Sequence, residues 1–91
     1  MFYVYVLISL KDQRLYTGFT TDLERRLKEH NQGQSEATKN RRPFKLIYYE
    51  AYLEEAEAER RERYLKGGNG RAQLKIQLSF TLKKFGYKHQ A

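Results

Sequence analysis

The sequence predicts an α+β protein: a three-stranded, mostly antiparallel sheet flanked by helices. Three observations support this. The runs Phe2–Ser9, Leu15–Thr20 and Phe44–Tyr52 are dense in aromatic and β-branched residues, the composition of strands. Two charged runs, 21–32 and 54–66, carry the capping, spacing and terminal glycines of helices. The chain has 91 residues, the length of one small domain with a thin core. That domain is expected over residues 1–85, with a short basic tail over 86–91.

In chain order, "FYVYVLIS" is a buried strand and "LKDQR" a polar turn. "LYTGFT" returns as the second strand of a hairpin. Thr21 and Glu24 are spaced as a capping box, and Leu23 and Leu27 form the inner stripe of the helix that follows. Gly33 should stop that helix after Gln32. "QSEATKNRRP" is a polar, basic loop leading to the third strand. The second helix ends at Gly67 and Gly68. The last segment, "LKIQLSFTL", alternates apolar and polar residues, which locally leans toward a strand. Leu74, Leu78, Leu82 and Phe85 also fit a helical stripe that Asn69 would cap.

Eighteen Lys and Arg against eleven Asp and Glu give a net charge of +7. A small basic domain most often meets a polyanion, and nucleic acid is the commonest. Without cysteine there is neither a disulfide framework nor a Cys-ligated metal. No apolar run approaches the roughly 20 residues that cross a bilayer, and no helix pairs a broad apolar face with a basic one, so no membrane partner is expected. The N-terminus lacks the basic start and cleavage site of a signal peptide, so a cytoplasmic location is expected.

The ordered motifs "YVY" (Tyr3, Val4, Tyr5) and "YTG" (Tyr16, Thr17, Gly18), then Arg26, "LKEHN" and the helix "EAERRERYLK", resemble the GIY-YIG nuclease superfamily. The resemblance is closest to its small stand-alone UPF0213-type members and covers residues 2–66. It implies that Tyr5, Tyr16, Arg26, His30 and Glu62 are catalytic residues, with Glu62 the metal ligand. It also implies that the last element is helical, giving the order β-β-α-β-α-α. Two positions depart from the pattern. Tyr3 replaces the first glycine of the family name, and Leu74 stands near the family's late asparagine, for which Asn69 is the nearest candidate.

The chemistry of these side chains fits phosphodiester hydrolysis. Glu62 offers a hard oxygen ligand to Mg²⁺ or Mn²⁺, and a lone carboxylate implies one metal, because no acidic cluster supports two. Otherwise it is a solvated acid in a charged helix. Arg26 can grip a phosphate through two N–H groups. Arg25 points about 100° away and reads as a surface residue. Tyr5 and Tyr16 each carry a hydroxyl that could take a proton from water if a metal or Arg26 favoured the phenolate; the alternative is packing. Tyr3 shares the strand parity of Tyr5, so it lines the same face and is a candidate nucleic-acid contact.

His30, one helical turn after Arg26, titrates near neutrality in its ordinary state and suits a base or relay. The alternative is a polar residue at a helix end. Gly18 suggests either close approach of backbone to phosphate or a tight turn. Lys39, Arg41, Arg42, Lys45, Arg71 and Lys75 are candidate phosphate contacts, or else a solvated surface. His89 receives no role. The expected function is a one-metal endonuclease acting on single-stranded or branched DNA, with RNA also open and a partner protein able to supply specificity. The alternative is a catalytically inactive nucleic-acid-binding module.

Overall fold

The computed structural model describes residues 1–87. His89 and most of the expected basic tail therefore lie outside the described residues. Strands β1 (Phe2–Ser9), β2 (Leu15–Thr20) and β3 (Phe44–Tyr52) form one sheet in the order β2-β1-β3. Both pairings are antiparallel, so the sheet is wholly rather than mostly so. Helix α1 (Leu23–Asn31) follows β2, and a 3-10 turn over Lys39–Arg41 leads into β3. Helices α2 (Glu55–Lys66), α3 (Gly68–Gln77) and α4 (Ser79–Lys84) complete the described chain.

The central strand explains the continuous apolar run at the N-terminus. Residues 4–9 are all buried, because both faces of β1 are covered. Val4 and Val6 face one core with Ala58 and Leu65 of α2 and Leu74 of α3. Tyr5 and Leu7 face the other with Phe44, against which Leu23 and Leu27 of α1 pack. Between Val6 and Leu7 the pairing with β3 slips by one residue, leaving Ile47 as the extra residue of a bulge.

Two local expectations are corrected. The N-cap of α1 is Asp22, not Thr21: its carboxylate accepts from the Arg25 amide at 3.1 Å. The Thr20 hydroxyl receives the Asp22 amide at 3.1 Å, so the turn is set one residue from the expected box. The helix stops as expected, with Gly33 at φ +79°. The final segment is helical, as the resemblance implies and against its local alternation. Leu74 and Leu82 are buried and Leu78 packs on the core, while Ile76 and Phe80 stand 70% and 90% exposed. The stripe at four-residue spacing wins because it is the one that finds a core. The segment breaks into two helices at Leu78, and the cap of α3 is Gly67, not Asn69.

Two contacts fix α2. A Cβ at Gly70 would collide with the backbone of Tyr64 and Leu65, so α3 crosses the end of α2 at glycine distance. On the sheet side, Arg61 donates to both oxygens of Glu50 in β3, at 2.9 and 3.0 Å. The Tyr48 and Tyr52 hydroxyls donate to the same carboxylate at 2.5 Å each.

Candidate active site

Tyr5 is the centre of the site. It sits on β1 directly opposite Gly18 of β2, and its side chain is 2% exposed. A Cβ on Gly18 would fall onto the Tyr5 hydroxyl and Cζ. The glycine suggested for phosphate approach or a turn therefore has another job: its missing side chain is the space the phenol fills. The Tyr5 hydroxyl lies 2.8 Å from His30 Nε2, and His30 Nδ1 lies 2.7 Å from the Thr38 hydroxyl. His30 and Thr38 are both 0% exposed. With both ring nitrogens engaged and no exposed surface, the imidazole is fixed in orientation and out of direct reach of solvent.

Burial, and then the nearby Arg26 charge, lower the His30 pKa to about 4. The near-neutral value expected from sequence is thus corrected, and the imidazole is neutral at pH 7. Burial pushes the Tyr5 phenol up to about 12. A hydrogen bond from Arg26 pulls the other way, while Tyr16 and the Glu62 carboxylate add to the rise. Arg26 alone therefore does not produce the phenolate; burial wins.

Arg26 is half-buried and turned toward Tyr5, with Nη1 3.0 Å from Glu29 Oε1. Arg25 is exposed. The two neighbours on α1 thus face different surroundings. Tyr16 is half-buried, its ring 5.1 Å from the His30 ring and 6.4 Å from that of Tyr5. Glu62 comes from α2, between the buried Ala58 and Leu65 turns, with 21% of its side chain exposed. It is close enough for its charge to act on Tyr5, and it pairs with Lys66 at 3.0 Å. Among the described residues no group of three acidic, His or Cys side chains is placed to hold a metal. Glu62 is thus a single carboxylate, and a divalent ion held by it would take its other ligands from water or substrate, as Mg²⁺ does.

The other candidates are dispersed. Asn69 is exposed in the first turn of α3 and makes none of the hydrogen bonds around Tyr5. Arg41 is held by Asp12 at 2.8 Å and lies over the Phe44 ring, so it is a structural contact more than a free cation. Lys39 pairs with Glu36 at 3.2 Å. Lys75 lies over the Tyr87 ring. Arg42, Lys45 and Arg71 are exposed. Lys39 and Arg42 border a groove of about 360 Å³ with Lys11, a residue the sequence reading passed over. Thr38 was also passed over, because nothing in a polar loop marks a hydroxyl that will meet a histidine eight residues away.

These features define a small α+β protein whose Tyr, His, Arg and Glu side chains gather around one hydroxyl at the sheet. A family model described as the GIY-YIG catalytic domain matches residues 1–75, and the chain belongs to that family. Membership implies nuclease activity and contact with nucleic acid. The chain is 40% identical to a UPF0213 protein of Clostridium perfringens over 99% of its own length and 97% of that relative. It is 43% identical to one of Staphylococcus haemolyticus over 81% of its length and 90% of that relative. The solution NMR structure of a UPF0213 protein from Bacillus halodurans matches with a TM-score of 0.51 at 37% identity, covering 86% of this chain and 85% of the other.

Proposed function

We propose that this protein is a metal-dependent endonuclease that hydrolyses phosphodiester bonds in single-stranded or branched DNA with one metal ion. The observation that carries this reading is the buried Tyr5 hydroxyl, hydrogen-bonded to His30 and close enough to Arg26 and Glu62 for both to act on its proton. Arg26 would bind the non-bridging oxygens of the scissile phosphate and counter the charge that grows there. Tyr5 would accept the proton of the attacking water as its own proton passes to His30 Nε2, with Thr38 steadying the far side of the ring. Tyr16 would orient that water. Glu62 would hold Mg²⁺ or Mn²⁺, which when bound stabilises negative charge on the phosphate and its leaving oxygen.

A second reading, a nucleic-acid-binding module without catalysis, is favoured by the Glu62–Lys66 ion pair, which already satisfies the one carboxylate. One experiment separates the two. The protein is incubated with single-stranded, duplex and branched DNA and with RNA, each with Mg²⁺, Mn²⁺ or EDTA. Cleavage that EDTA abolishes supports the nuclease; binding with no cleavage under any condition supports the module.

A further inference from the structure

Helix α1 covers only part of the sheet face that carries Tyr5. Beside it, Tyr3 and Tyr49 meet edge to face with their ring centroids 5.9 Å apart. Tyr49 lies directly across from Tyr5, and Tyr3 is two residues before Tyr5 on the same strand. All three therefore share one face of the sheet. Tyr49 is 52% exposed, and neither Tyr3 nor Tyr49 belongs to a buried cluster. Tyr3 is half-buried and has the small, exposed Ala51 opposite it on β3.

We propose that Tyr3 and Tyr49 form a stacking platform for an unpaired base next to the scissile phosphate. This rests on the nuclease reading above and deepens it by naming what the substrate must present at the cut. With the phosphate at Arg26 and Tyr5, the i, i+2 step along β1 spans about 6.7 Å, within the reach of one nucleotide of an extended strand. Base faces stack on aromatic rings with little sequence preference, as on other sheet surfaces that bind single strands. A base inside a duplex has no free face to offer. The +7 charge complements the strand's phosphates. The occupant is therefore a single nucleic-acid strand, or one splayed at a junction, and DNA is the strand the proposed function assigns.

The test measures affinity in EDTA, where no cleavage intervenes, and cleavage separately in Mg²⁺. Three probes are used: a single-stranded oligonucleotide, the same strand carrying one abasic site, and a blunt duplex. Tyr49→Leu should weaken single-strand binding about tenfold and leave duplex binding unchanged, while Tyr49→Phe keeps parental affinity. Tyr3→Leu should act in the same direction. Moving the abasic site along the strand should find one position that costs the parent protein the same factor and costs Tyr49→Leu nothing more. Equal losses on single strand and duplex, or no loss on either, would overturn the platform, as would a Tyr49→Phe variant as weak as Tyr49→Leu. A protein that shows the Tyr49 dependence yet never cleaves retires the nuclease reading alone. One that cleaves single strands at the parental rate in both Leu variants retires the platform alone.

Discussion

Gly18 and Tyr5 face each other across the β1–β2 ladder, and the tyrosine hydroxyl fills the volume where any larger residue at 18 would place its Cβ. Gly18→Ala should therefore displace the phenol from His30. Overpacking of this kind costs about 1–3 kcal/mol. Cleavage should fall much further than stability, and urea unfolding beside a cleavage assay separates the two. An alanine variant with parental turnover would show that the Tyr5–His30 contact is dispensable.

Arg26 and Arg25 should behave differently although they are neighbours. Loss of a charged contact made mainly in the transition state lowers turnover by about 10² or more. Arg26→Ala should show this, whereas exposed Arg25→Ala should change only affinity, and modestly. Steady-state kinetics on one oligonucleotide decide it: equal defects would refute the assignment of Arg26.

Glu62→Gln should abolish cleavage while leaving nucleic-acid binding in EDTA intact. Its partner gives the opposite sign. Lys66→Ala removes a competitor for the carboxylate, so the half-saturating Mg²⁺ concentration should drop. Lys66 is half-exposed and the pair is screened by solvent on that side, so the drop should be no more than about fivefold. A rise would mean that Lys66 helps the metal or the substrate to bind.

His30 makes stability depend on pH. The unfolded chain protonates this histidine near 6.5, while the folded chain resists down to about 4. Between those values the unfolded state holds the extra proton, so stability is complete above about pH 6.5 and falls as pH drops toward 4. The full difference is about 3 kcal/mol. Chemical denaturation at pH 7, 5.5 and 4.5 reads it, and His30→Gln should flatten the trend.

The basic residues should divide by whether a carboxylate already neutralises them: Arg41 has Asp12, whereas Arg42 donates only to the Lys39 carbonyl, at 2.7 Å. Replacing exposed Arg42 and Lys45 should reduce the slope of log affinity against log salt on single strands by about 1.4, from roughly 0.7 per phosphate contact. Arg41→Ala, which breaks the Asp12 pair, should lower stability and leave the slope nearly unchanged. A slope that ignores Arg42 and Lys45 would move the strand's path to another surface.

Much of this was legible from the chain. Strand composition fixed all three strands, because a central strand covered on both faces needs the apolar run that residues 2–9 supply. The difference in facing between Arg25 and Arg26 followed from helix periodicity alone. The final helices were misread locally because Ile76 and Phe80 are apolar yet exposed, a choice only the core can arbitrate. The cap at Asp22 was missed because Thr21 and Asp22 are both competent caps, and only the end of β2 at Thr20 selects between them. The depression of the His30 pKa was out of reach, since it comes from burial and from Arg26, neither of which a one-dimensional pattern reports. Tyr49 was missed for a related reason: a tyrosine in a strand reads as packing until its own face of the sheet is seen to be only partly covered.

The clasp between Arg61 and Glu50 has a consequence for the residue next to it. A two-pronged bond into a carboxylate already held by Tyr48 and Tyr52 stops α2 from rolling about its own axis. Glu62 follows Arg61 in the chain, so the bearing of its carboxylate is dictated by β3, at one margin of the sheet. Tyr16 and Gly18 are dictated by β2, at the other. The cluster around Tyr5 is thus surveyed from two opposite borders. Damage to a clasp that touches no substrate would still put its acidic corner out of true.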